Sequence, residues 1–413
     1  MTLPKRLDTR MQTLKALALY VAALMASMIL GSFAHAQSVD PKTVEPPLPQ
    51  SSTPMTFARA CEVGTSTLTL AAVGDILPQS DLSVQSYNSS LGFASLWPKL
   101  TSYISGADIA YGNLEGPTAE GVAIDGRVTS DPGPTLDRYV YTATNLQFNY
   151  HPRIIDDLKR SGFDIVSIAN NHALDRSSIG VDRTIEALLA RNMPYSGARR
   201  TTDRSASIST LIDRAGFRIA FIACTDVWNG SDPKQLITAC ASDQVVREIK
   251  SLNQDSSVDA VIVTPHWGEE YHHVANSRQR SLARKFLDAG ASAVIGSHPH
   301  MLQEMESYRT RDGRDTVVAY SLGNFVSGQG SRPGLKISVL MYVGLTKRVG
   351  EKAWVNGVSY LPLWMDRGPN SINLAENSRQ APKSLVTNQI SRLMDPSRAL
   401  RTGSAIRTNI GCP

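Results

Sequence analysis

The sequence lacks the short signatures of several large enzyme classes. No G-x-G-x-x-G follows an apolar strand-like run, which argues against a dinucleotide-dependent dehydrogenase, and no G-x-S-x-G elbow marks a serine hydrolase. No C-x-x-C pair occurs, so a cysteine-held zinc is not expected. No internal repeat is visible, and the composition is not that of a multi-span membrane protein. Charge of one sign is scarce as well, since 42 Lys and Arg face 37 Asp and Glu, a net +5. What is present is ordinary: 413 residues, 42% hydrophobic and 19% charged, too many for a small module and enough for one large α/β domain with appendages.

The small positive surplus is concentrated at the start. Residues 1–36 carry Lys5, Arg6, Arg10 and Lys15 against Asp8, continue through the apolar run Ala16–Phe33, and end in Ala34-His35-Ala36, the small-residue pattern of a cleavage site. They read as an export signal. Met11 is an alternative start, and an uncleaved segment would serve as an N-terminal membrane anchor. The other 377 residues carry 38 positive and 36 negative charges, or +2, so no nucleic-acid partner is expected. A periplasmic or extracellular location makes disulfides expected among Cys61, Cys224, Cys240 and Cys412. Of the three pairings, the favoured one joins Cys224 to Cys240 across a short loop and Cys61 to Cys412 near the two ends of the mature chain. The other reading leaves all four reduced and buried.

Residues 37–60 are rich in Pro, Ser and Thr without apolar periodicity, and residues 37–65 are expected to form a flexible leader. From Leu68 onward, apolar runs such as LTLAAVGDI, FDIVSIANN, FRIAFIACT, VDAVIVTPHW and ASAVIGSHPH alternate with amphipathic ones such as FASLWPKLTSYI, PRIIDDLKRSG and NSRQRSLARKFLDAG. That is a β-α rhythm. From Thr316 three runs follow without intervening helices, which predicts an antiparallel portion. The folded domain is expected over 66–365, and residues 366–413 read as a peripheral tail with one short helix.

Polar residues fall at the ends of these strands. Asp75 follows LTLAAVG, Asn113 and Glu115 follow ADIAYG, Asn170-Asn171-His172 follows DIVSIA, His266 follows VDAVIVTP, and His298 and His300 follow ASAVIGS. In open α/β sheets ligands bind at the carboxyl ends of parallel strands, so these groups should converge on one crevice. Read singly, each has a plainer account: Asp75 as a helix cap, the asparagines as turn residues, His266 as a satisfied core histidine. Together they suit a divalent cation, manganese, zinc or iron. His272 and His273 read as solvated.

The ordered blocks GDI, GNLE, ANNHALD, HWGEEY, GSHPH and SLGNF, spread over about residues 66–330, resemble the CapA-type capsule synthesis proteins, associated with poly-γ-glutamate biosynthesis, within the calcineurin-like metallophosphoesterase superfamily. The resemblance implies an α/β fold, a metallophosphoesterase-like two-sheet sandwich flanked by helices, with a dinuclear metal centre. It implies Asp75, Asn171, His266, His298 and His300 as metal ligands and His172 as the catalytic histidine. A bridging ligand should be a carboxylate, because a neutral amide cannot offset two dications, which favours Glu115 over Asn113. Asp175, three residues after His172, is placed to hold its other nitrogen. Asn113, Trp267, Glu269, Tyr271 and Asn324 are expected to meet substrate, with Glu270 beside them in the HWGEEY block; the plainer account of Trp267 and Tyr271 is that they pack in the core.

Two departures divide the functional reading. Metallophosphoesterases carry Asp-x-His in the first motif, whereas this chain has Asp75-Ile76-Leu77, and the second motif lacks the usual Gly-Asp. One reading is an exported metal-dependent hydrolase or transferase acting on a phosphoester or an anionic capsule or envelope polymer, beside membrane-associated capsule synthesis machinery. The other is a non-catalytic polymer-binding or export-assisting protein with a degenerate metal site.

Overall fold

Apolar runs separated by amphipathic helices favour parallel strands covered by the helices that connect them. The computed structural model describes residues 47–143, 146–203, 207–330, 332–409 and 412; the segment read as an export signal and the first part of the expected leader lie outside them. In chain order the strands are β1 (Ser66–Leu77), β2 (Ile109–Leu114), β3 (Ile165–Ser167), β4 (Tyr195–Ser196), β5 (Thr210–Arg214), β6 (Phe217–Thr225), β7 (Ala260–His266), β8 (Ala293–Ile295), β9 (Met305–Arg309), β10 (Asp315–Ala319), β11 (Asn324–Ser327), β12 (Ile337–Lys347), β13 (Trp354–Asp366) and β14 (Ser371–Leu374). The helices are α1 (Asp81–Asn88), α2 (Thr101–Ser105), α3 (Arg153–Arg160), α4 (Ser177–Ala190), α5 (Asp243–Gln254), α6 (Ser277–Ala289) and α7 (Lys383–Leu393).

Among the described residues the strands form two sheets. One runs β14-β13-β12-β1-β2-β3-β4, with β11 also paired to β1; the other runs β5-β6-β7-β8-β10-β9. Strands β1 to β4 are parallel, as are β6, β7, β8 and β10; of the three late runs, β12 and β13 are antiparallel as expected and β14 adds to them, whereas the run from Thr316 splits into β10 and β11, which pair in parallel with β8 and β1. The fold is therefore the two-sheet α/β sandwich flanked by helices.

Period-two alternation decides which layer each strand residue enters. On β1, Leu68, Leu70 and Ala72 face the space between the sheets with Phe221, Ile262 and Val317, whereas Ala71 and Val73 join the helix-side core with Trp97, Ile155 and Leu188. The outer face of the second sheet packs Ile222, Val261 and Val263 against Val245, Phe286 and Leu287 of α5 and α6. Each such apolar side chain contributes roughly 1.5–3 kcal/mol on burial. The amphipathic stretch Phe93–Ile104 is not one helix: Pro98 lacks an N–H and splits it into a 3-10 turn, Gly92–Leu96, and the short α2.

Both ends are more integrated than the sequence suggests. The described part of the leader, residues 47–65, has no regular structure, yet Met55 and Phe57 are buried and the Met55 amide donates to Asp395 Oδ2 at 2.9 Å. Residues 366–413 are not peripheral, because β14 extends the first sheet and α7 buries Val386, Ile390 and Leu393 in the inter-sheet core. Gln389 of α7 also reaches Nε2 of His273 at 3.2 Å, and that histidine is buried rather than solvated, its Nδ1 2.8 Å from the Leu302 carbonyl. Disulfides join Cys61 to Cys412 and Cys224 to Cys240.

The crossing of β1 and β11 positions the site. Asp75 donates its amide to the Gly323 carbonyl at 3.1 Å, an approach that needs Gly74, where an added Cβ would lie 1.8 Å from the same oxygen. Gly74→Ala is therefore expected to destabilise the fold by at least about 1–3 kcal/mol, the ordinary cost of overpacking. A denaturant midpoint unchanged from wild type would contradict that reading.

Candidate metal centre

The parallel strands of both sheets end at a common edge, and every residue singled out at a strand end arrives there. Asp75 lies near the end of β1, Asn113 in β2 with Glu115 just beyond it, and Asn171 and His172 in the turn after β3. His266 closes β7, His298 and His300 follow β8, and Asn324 opens β11. All are buried. His298 and His300 hold positive φ angles of 100° and 59° on either side of Pro299. Such backbone costs on the order of 1–3 kcal/mol per residue and persists where surrounding contacts fix it. Here the Tyr271 amide donates to the Pro299 carbonyl at 2.8 Å.

The centre has two connected halves. In one, His300 Nδ1 lies 3.2 Å from Asp75 Oδ2 and 3.1 Å from Asn324 Oδ1, and its Nε2 lies 3.7 Å from Glu115 Oε1 and 3.9 Å from Glu270 Oε1. In the other, His266 Nε2 is 2.9 Å from Asn171 Oδ1 and 3.1 Å from His298 Nδ1. Asn113 joins them, donating to Asp75 Oδ1 at 2.8 Å with the same nitrogen 3.3 Å from His266 Nδ1. The six residues expected as metal ligands thus form one contiguous cluster.

Among the described residues two groupings could each hold a cation: Asp75 with Glu115 and His300, and Glu270 with His298 and His300. The test of fit is Glu115. Both its carboxylate oxygens are buried without a hydrogen-bond partner, a costly state for a polar group unless something positive completes it. Oxygen donors mixed with imidazole suit zinc, manganese or iron.

The electrostatics agree. Burial, reinforced by Asp75, pushes the Glu115 carboxyl well above the usual range. Burial and the neighbouring imidazoles hold His266 well below its ordinary value and His298 down to about 4. Burial also opposes charge on His300, but Glu115 and Asp75 outweigh it and raise that imidazole to about 9. Below about 9 His300 keeps a proton that a cation must displace. Metal uptake near neutral pH should therefore release protons, and affinity should rise with pH up to about 9, by roughly tenfold per unit for each proton displaced. Calorimetric titration in two buffers of different ionisation heat measures this; identical apparent enthalpies would contradict it.

On the far side of Asn171, His172 Nδ1 is 2.9 Å from Asp175 Oδ2, the expected pair. The same oxygen accepts the Phe148 amide at 2.7 Å, and the Phe148 ring lies 4.4 Å from the imidazole. A cleft of about 480 Å³ opens beside them, lined by Asn171, Asp175, Asn229 and Lys234 among others.

Several residues expected to meet substrate do otherwise. Trp267 is fully buried in the second-sheet core, its Nε1 donating to the Tyr320 carbonyl at 2.8 Å. Glu269 is exposed and faces the start of α6, where Asn276 reaches it at 3.4 Å. Its neighbour Glu270 enters the centre instead. Tyr271 is buried, its ring 6.1 Å from His300 and in a small cluster with Met301 and Leu335. Asn113 and Asn324 orient Asp75, His266 and His300 from behind. Sequence reasoning placed Glu270 at the substrate mouth with the rest of HWGEEY and not among the cation donors, and it missed Asn229, which no periodicity signalled.

Residues 69–329 match the family described as bacterial capsule synthesis protein PGA_cap. The chain is 28% identical over 273 residues to the capsule biosynthesis protein CapA of Bacillus anthracis, covering 64% of this chain and 60% of that protein. It is 29% identical over 266 residues to the PGA biosynthesis protein CapA of Bacillus subtilis strain 168, covering 64% of each. The match thus spans about three fifths of the length of these curated relatives. A 5'-nucleotidase from Candida albicans SC5314 overlaps with a TM-score of 0.39 and 10% identity, over 83% of this chain and 59% of that one. That overlap carries no argument, and the fold rests on the strands and helices described above.

Proposed function

Because the chain belongs to the bacterial capsule synthesis protein family, we propose that it is an exported, metal-dependent hydrolase or transferase acting on a phosphoester or an anionic capsule or envelope polymer of the poly-γ-glutamate type. The observation that carries the reading is Glu115, a buried carboxylate whose two oxygens accept no hydrogen bond and whose nearest cationic neighbour is His300 Nε2 at 3.7 Å. Asp75, Glu115, Asn171, His266, His298 and His300, with Glu270, would hold one or two divalent cations. A cation there supplies Lewis acidity toward charge that builds on a phosphoryl or carbonyl oxygen.

The protein's own contribution to the chemistry lies at His172. Asp175 accepts from Nδ1 and fixes the ring, which leaves Nε2 to carry the proton that a leaving oxygen needs. Phe148 against the imidazole limits its rotation. Export is supported by the basic, apolar and A-x-A order of residues 1–36 and by the two disulfides. Among the described residues no helix is long and apolar enough to cross a membrane, so contact with membrane-associated capsule machinery would run through surfaces or through residues 1–36.

One observation favours the non-catalytic alternative. Where the first motif of metallophosphoesterases has histidine, Leu77 is buried and apolar, and Asn113 is a neutral amide between the two halves of the centre. A panel of a generic phosphodiester, a phosphomonoester and poly-γ-glutamate, assayed with manganese or zinc, separates the readings. Metal-dependent turnover of any of them supports catalysis; polymer binding without turnover supports the alternative.

A further inference from the structure

The loop between β6 and α5 is closed at its base by the Cys224–Cys240 disulfide, and Asn229 at its exposed side reaches back to the centre. Its two amide atoms meet different partners. Asn229 Oδ1 accepts from Asn171 Nδ2 at 3.2 Å, and Asn229 Nδ2 lies 3.4 and 3.5 Å from the two ring nitrogens of His172.

The first contact has a chemical consequence. A side-chain amide can serve a cation only through its oxygen, since its nitrogen has no available lone pair, and an unrestrained amide can present either atom. In this structure the Asn171 nitrogen is turned outward to Asn229 while its oxygen points inward, 2.9 Å from His266 Nε2. We propose that Asn229 is a positioning residue of the metal centre, whose side-chain carbonyl takes up the Asn171 amide nitrogen and so commits the Asn171 oxygen to the cation. This rests on the metal-centre reading above. It gives the disulfide-closed loop a role in metal affinity even though none of its residues belongs to the ligand cluster. It also ties that affinity to the cleft beside His172, which Asn229 lines.

The test is manganese titration of the full chain by calorimetry, comparing wild type with Asn229→Ala and Asn229→Asp. The carboxylate of Asn229→Asp keeps an acceptor for Asn171 Nδ2, whereas alanine does not. Asn229→Ala should weaken manganese binding by roughly 10–100-fold, as losing the partner that orients a ligand does. Asn229→Asp should bind as tightly as wild type or more so. Because Asn229 is exposed, circular dichroism should give both variants the wild-type unfolding temperature within a few degrees. Wild-type affinity in Asn229→Ala, or equal weakening in both variants, overturns the proposal and leaves the metal centre standing. Absence of manganese binding by wild type overturns both.

Discussion

Replacing His298 and His300 together by alanine should abolish divalent-metal binding. His300 belongs to both groupings that could hold a cation, with Asp75 and Glu115 in one and Glu270 and His298 in the other. His298 additionally meets His266 at 3.1 Å and so belongs to the second half of the centre. Removing both imidazoles takes nitrogen donors from each half while leaving the carboxylates. Loss of even an outer partner costs roughly 10–100-fold in affinity, so loss of two direct donors should exceed 100-fold. The effect should also appear as stability. A metal present at 100 times its dissociation constant adds about 2.7 kcal/mol to folding, and the double variant should show no such gain on metal addition. Because both positions have positive φ, alanine keeps the backbone strain without the histidine contacts that offset it. The metal-free unfolding temperature of the variant is therefore the necessary control.

His172→Ala should have the opposite profile, retaining metal while losing turnover by roughly 10²–10⁴-fold, the range for a general acid or base. His172 is absent from the groupings able to hold a cation, and its contacts are Asp175, Phe148 and Asn229. Asp175→Asn should fall between wild type and His172→Ala. It keeps the shape but loses the carboxylate that fixes the imidazole, and it disturbs the Phe148 amide that shares the same oxygen. If His172→Ala lost metal as well, the residue would belong to the cation's ligands, and the acid role would fall to another group.

The strand-end residues were legible because the β-α rhythm fixes them independently of any loop. Once the parallel strands are recognised, Asp75, Glu115 and Asn171 fall at the carboxyl edge of one sheet (β1, β2, β3) and His266, His298 and His300 at that of the other (β7, β8), and the sandwich implied by the family resemblance brings the two edges together. The choice between Glu269 and Glu270 was not legible. It depends on the turn after β7, where Gly268 at φ 90° and Tyr271 at φ 67° reverse the chain, so that one glutamate faces α6 and the next faces His300. The choice between substrate contact and packing for Trp267 was open for a related reason, since only the packing of the second sheet against α6 shows that its ring belongs to the core. Asn229 lies in a loop without apolar periodicity, and its link to Asn171 crosses between the two sheets. The leader read as flexible and the tail as peripheral because their burial comes from long-range partners, Met55 with Asp395 and α7 with the inter-sheet core, which local composition does not encode.

The central claim is that this strand-end cluster is a metal centre, and elemental analysis of the purified protein after manganese or zinc loading and desalting tests it most directly. At least one divalent cation per chain should remain in wild type and none in the variant lacking His298 and His300. Wild-type protein that retains no metal, or a double variant that retains as much, would contradict the account.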